Sequence, residues 1–124
     1  MVIDLATLTE EEKGFLEIER KKYKGRMLRE SVPRHIHEGF LNFILYGIEP
    51  GSFLRAVLSN DLKESFGRAD DTNLRHMFSI VSFTRNGCPA AAQGSETSFL
   101  SWIEWGGLVG LYLVNKKKQE VTGG

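Results

Sequence analysis

Sixteen consecutive residues, Gly47-Ile-Glu-Pro-Gly-Ser-Phe-Leu-Arg-Ala-Val-Leu-Ser-Asn-Asp-Leu62, hold a helix stop, a helix start and an apolar stripe in succession. Glycine adopts the left-handed conformation that closes helices, and proline is pre-shaped for a first helical turn. Gly47 therefore ends one helix and Pro50 opens the next. Phe53, Leu54, Val57, Leu58 and Leu62 recur at helical spacing and are read as a core face. Ser52, Asn60 and Asp61 stand off that stripe near helix ends. Backbone groups are unpaired there, so short polar side chains act either as caps or as contacts to a ligand.

The flanking sequence extends the helical pattern in three parts: a charged segment over 1–32, a core domain over 33–107, and a short apolar segment with a Lys- and Gly-rich tail over 108–124. In the first part, Thr9 followed by Glu12 three positions later forms a capping box. The acidic first turn and the basic later half complement a helix dipole, so residues 9–30 are read as one helix, loosened near Gly25. Its broken stripe of Phe15, Ile18 and Tyr23 suggests packing against a second copy, and hence a homo-oligomer. Pro33 keeps Val32 out of a helix, and a wide stripe from Ile36 to Leu45 predicts a central helix over 34–46. The next helix is expected over 50–65. A third starts near Asp70, with Leu74, Met77, Phe78, Ile80, Val81 and Phe83 directed inward, and Asn86-Gly87-Cys88-Pro89 stops it. Ser95 caps a final helix through Trp105, with Phe99, Leu100, Trp102 and Ile103 on its buried side, and Gly106-Gly107 breaks it. Residues 108–114 fit a short helix or an edge strand equally, and Lys116-Lys117-Lys118 reads as a solvated tail. The fold class is all-α: a bundle of about four core helices with a charged N-terminal helix beside it.

Charge narrows the function classes. Lys plus Arg and Asp plus Glu number 16 each, and a dedicated nucleic-acid binder carries a basic excess. Within residues 1–30 seven acids offset seven bases, so that run is a solvated face. The single cysteine, Cys88, has no internal partner and the N-terminus lacks a signal-peptide pattern, which points to a reducing cytoplasm. The apolar run from Leu108 to Val114 falls far short of the ~20 residues of a membrane span.

No residue pattern states a reaction. His35 and His37 diverge by about 200° on a helix, and neither His76 nor Cys88 supplies ligand spacing, so no metal and no cofactor are expected. The Gly-x-Ser-x-Gly elbow and the phosphate-loop glycines are absent, and Asp70-Asp71 reads as a helix cap. The chain is read as a non-enzyme. A small anionic ligand has firmer footing, because helix N-termini offer free N–H groups beside cations. The candidate ligand-binding residues are Arg34, Ser52, Asn60, Asp61, Arg68, Asp70 and Asn73. A helix-turn-helix DNA reader built on 34–46 and 50–65 is the alternative from another class, though Phe43 fills the position where such helices need a small residue.

Residues 33–107 resemble a group of small proteins of tailed phages and prophages. The matching residues are Pro33-x-His35-x-x-x-Gly39, Gly47-Ile-x-Pro50-Gly51-Ser52-Phe53-Leu54-x-Ala56-Val57-Leu58-x-Asn60-Asp61-Leu62 and Ala69-Asp70-Asp71-x-Asn73, followed by Pro89, Gly94-Ser95, Trp102 and Gly106-Gly107. Gln93 stands where such proteins usually carry an aromatic. The resemblance implies a phage accessory protein that counters a host defence or regulatory system. Two mechanisms follow: sequestration of a nucleotide-like signal, or direct blocking of a host protein.

Overall fold

Thr9 starts the first long helix as its sequence predicts. Its hydroxyl accepts the Glu12 N–H at 3.2 Å, and the Glu12 carboxylate accepts the Thr9 N–H at 2.8 Å. The computed structural model describes residues 4–122, and every regular element among them is helical. Eight α-helices follow in order: α1 (Glu10–Arg29), α2 (His37–Tyr46), α3 (Ser52–Leu58), α4 (Leu62–Arg68), α5 (Asp71–Arg75), α6 (Met77–Gly87), α7 (Glu96–Trp105) and α8 (Gly107–Thr122). Short 3-10 turns precede α1, α2 and α7. The chain is an all-α helical bundle.

α2 is the hub. Phe40, Leu41, Phe43, Ile44 and Leu45 are fully buried, with α1 and α8 against it. Phe40 meets Phe83 of α6 edge-on at 5.1 Å, and Phe43 stacks on Phe99 of α7 at 5.2 Å. The Trp102 indole N–H donates to the Phe43 carbonyl at 2.9 Å, so the one polar atom of that buried ring is satisfied. Gly47 closes α2 at φ 67°, as expected. Gly106 and Gly107 do more than break a helix. A Cβ on Gly107 would come within 2.5 Å of the Gly47 backbone nitrogen, so the α7–α8 corner touches the end of α2 backbone to backbone. That contact fits only glycine.

Several expectations are corrected. α1 runs unbroken through Gly25. The helix expected over 50–65 stops at Leu58, because Asn60 sits in the left-handed region at φ 62°. Its N–H donates to the Val57 carbonyl and that of Asp61 to the Ala56 carbonyl, a Schellman closure that redirects the chain into α4. The turn rotates Leu62 off the core face, where it is 69% exposed. The third helix bends at His76, whose Nδ1 donates to the Thr72 carbonyl. Beyond it Met77, Ile80 and Phe83 point inward, but Phe78 and Val81 face outward, as do Leu74 before the bend and Leu100 in α7. Residues 108–114 are helical, and α8 continues through the lysines. Lys116 reaches the Glu12 carboxylate at 3.2 Å and so belongs to the packed body. The final Gly123 and Gly124 of the expected tail lie outside the described residues. The broken stripe of α1 is largely used within the chain: Phe15 stacks on Tyr112 at 4.4 Å, Tyr23 is buried, and Ile18 remains exposed.

Candidate functional site

Three of the seven expected ligand residues come together. Ser52, Asp61 and Arg68 line one open pocket of about 230 Å³ with Arg55, Ala56, Ser59, Glu64 and Glu96. Local chemistry positions each of them. Asp61 caps α4, its carboxylate accepting the Glu64 N–H at 3.1 Å while its carbonyl accepts the Ser65 hydroxyl at 2.6 Å. Arg68 lies one turn beyond Glu64, to which its Nε donates at 3.0 Å. Arg55 projects from α3 over the Phe99 ring and pairs with Glu49 and Glu96. The Ser59 hydroxyl is buried without a hydrogen-bond partner.

The pocket lining carries one more acid than base. Two guanidinium groups face Asp61, Glu64 and Glu96, and each arginine already holds a carboxylate. A polyanion entering here would have to displace those acids. The charge suits a small polar or zwitterionic molecule better than a nucleotide phosphate.

The other four expected residues lie elsewhere. Asn60 is exposed and shapes the α3–α4 turn through its backbone, outside the pocket lining. Asp70 caps α5 by accepting the Asn73 N–H at 2.7 Å, and its second oxygen bonds His35 Nε2 at 2.9 Å. The Asn73 N–H first, then the His35 ring, hold the Asp70 carboxyl below the usual carboxylate range. Asn73 itself is buried, and its amide oxygen has no partner. Arg34 neighbours His35 in sequence but lines a different shallow depression, with Lys24, Leu28, His37 and Glu38. The convergence expected of the helix N-termini is thus divided over three places.

A wider concavity holds none of those residues. Leu62 and Phe66 of α4 face Met77, Phe78, Val81, Ser82, Arg85 and Asn86 of α6 across a groove of about 500 Å³. Phe78 is 87% exposed, and Phe66 and Val81 are about half exposed. A signal for this surface was present in the sequence. The six residues directed inward between Leu74 and Phe83 span too wide an arc of a helix to share one core face, so some had to point out. Phe78, Val81, Ser82 and Arg85 follow at i, i+3, i+4 and i+7, a second stripe of its own.

Cys88 is buried, and burial pushes its thiol far above the ordinary range, which leaves it unreactive. Among the described residues no three His, Cys, Asp or Glu side chains gather to hold a metal ion, and no helix is long and apolar enough to cross a membrane. No protein-family model, no curated protein and no solved structure matches the chain.

Proposed function

We propose that this chain is a non-enzymatic binding protein that acts by docking a partner protein on the α4–α6 groove. The observation that carries this reading is the exposure of Leu62, Phe66, Phe78 and Val81 around one concavity. Contiguous apolar surface of this kind marks interaction sites, and aromatic side chains supply most anchors at protein interfaces. The resemblance to phage accessory proteins makes a host protein in the host cytoplasm the partner, and blocking it the means of countering a host defence or regulatory system. DNA binding finds less support. α3 has only seven residues, most of them buried, and Arg55 is occupied by carboxylates.

A second reading keeps sequestration of a small polar ligand in the Ser52–Arg68 pocket. The unpartnered Ser59 hydroxyl favours it, since a bound molecule would supply the missing hydrogen bond. One experiment separates the two. Helical peptides are selected from a display library on the wild-type protein, and the melting temperature is followed with a panel of amino acids, other small zwitterions, nucleotides and cyclic dinucleotides. The docking reading expects peptides whose binding disappears in Phe78→Ser and no rise in melting temperature with any of these small molecules. A ligand-induced rise that Arg68→Ala abolishes would replace it with the sequestration reading.

A further inference from the structure

We propose that the natural occupant of the α4–α6 groove is an acidic amphipathic helix of the partner protein. This rests on the docking reading above and adds the chemistry of what docks. The groove floor is apolar, with Leu62 and Phe66 one turn apart on α4 and Phe78 and Val81 less than a turn apart on α6. Both walls are helical, so neither offers an extended strand the row of open N–H and C=O groups that a sheet edge would. A strand laid there would leave its own backbone unpaired. A helix brings its hydrogen bonds with it and needs only apolar side chains at i, i+3 or i+4, and i+7.

Charge decides the sign of the flank. Arg20, Arg26, Arg55 and Arg68 each hold a carboxylate of this chain. Arg85 sits on the groove lining and holds none among the described residues, which place no carboxylate on that lining. Lys63, exposed next to Leu62, is likewise without an ion pair, while nearby Glu64 is engaged by Arg68. An incoming helix with Glu or Asp beside its apolar face therefore finds unspent cations. A second copy of this chain does not complement the groove. A twofold contact sets the same patch against itself, and the groove lining holds no carboxylate to answer Arg85.

The test uses the full chain and two stapled helical peptides, since short free helices are marginal in water. One peptide carries Leu at i, i+4 and i+7 flanked by Glu; its twin carries Lys at every Glu position. Fluorescence polarisation should show the acidic peptide binding at least about tenfold tighter than its twin. Arg85→Glu should narrow or reverse that ratio, and Phe78→Ser should abolish both signals. Phe78 is too exposed for its loss to unfold the protein, and circular dichroism of the variant verifies that. Equal binding of the twins, with loss in Phe78→Ser, overturns the acidic occupant but leaves docking standing. Binding of neither peptide, or binding that ignores Phe78→Ser, overturns docking itself. Self-association of the free protein that Phe78→Ser removes would assign the groove to a second copy and also overturn the proposal.

Discussion

The α1–α8 pair and the α4–α6 pair use their side chains in opposite ways. On the α1–α8 side the chain completes its own contacts: Phe15 stacks on Tyr112, Tyr112 donates to Glu11, Lys116 reaches Glu12, and Arg20 forks onto Glu38. On the α4–α6 side apolar side chains are left open and Arg85 has no ion pair among the described residues. Residues that hold the fold together sit where contacts close within the chain. Residues free to meet something else sit where they do not.

Core and groove should respond differently to substitution. Leu58 is fully buried, so Leu58→Ala should cost about 2–5 kcal/mol in urea unfolding. Gly107→Ala should be as severe, at about 2–5 kcal/mol, because a methyl there meets the α2 backbone and the residue stands at φ 68°. In the same measurement Phe78→Ser should stay within about 0.5 kcal/mol of wild type. A groove substitution as costly as these two would mean that the groove is part of the core.

A smaller effect tests the turn that creates the groove. Asn60 is left-handed, and any other L-residue with a Cβ fits there poorly. Asn60→Ala should lose about 1–2 kcal/mol, and Asn60→Gly should recover most of it. Were Asn60 a ligand contact with no structural duty, both variants would melt like wild type and lose function together.

The smallest effect is expected in the tie between α1 and α8. The Thr9 N–H, and after it Lys116, hold the Glu12 carboxyl below its ordinary range, and Glu12 holds the Lys116 ammonium above its own. Glu12 therefore contributes stability that is present above its unfolded pKa and is lost as pH falls through the lowered folded value. Lys116 contributes stability that is present below its unfolded pKa and is lost as pH rises through the raised one. The melting temperature should decline at both extremes. Glu12→Gln preserves the capping box and removes the charge, so it should flatten the acid decline. An unchanged acid limb in that variant would show that the tie contributes nothing.

Much of the helical order was legible locally. The Thr9–Glu12 box, the Gly47 stop, the Ser95 cap and the Gly106-Gly107 break are each decided by a few neighbouring residues, and all lie where their chemistry puts them. The facing of α4 and of the α5–α6 segment was not legible from apolar content. Leu62 and Phe78 are as apolar as Leu58 and Phe83, and only the rotation introduced at Asn60 and the bend at His76 direct them outward. The candidate site was legible in part. Ser52, Asp61 and Arg68 meet, but Arg55 and Glu96 come to the same pocket from positions forty-one residues apart in number, which no local pattern joins.

Local sequence was enough to decide that this chain is largely helical, where α1, α2 and α7 run, and that α2 is central, because caps, glycines and a wide apolar stripe act over one or two turns. Only the tertiary structure decided that the α7–α8 corner lies against Gly47, that the helix-end polar residues are divided over separate places, and that an apolar stripe of α6 meets α4 in the open. Those outcomes depend on how rigid helices, each with its own stripe, can all bury their best faces around one hub at once. Eight helical pieces cannot all do so in a chain this short, and the faces left over became the surface.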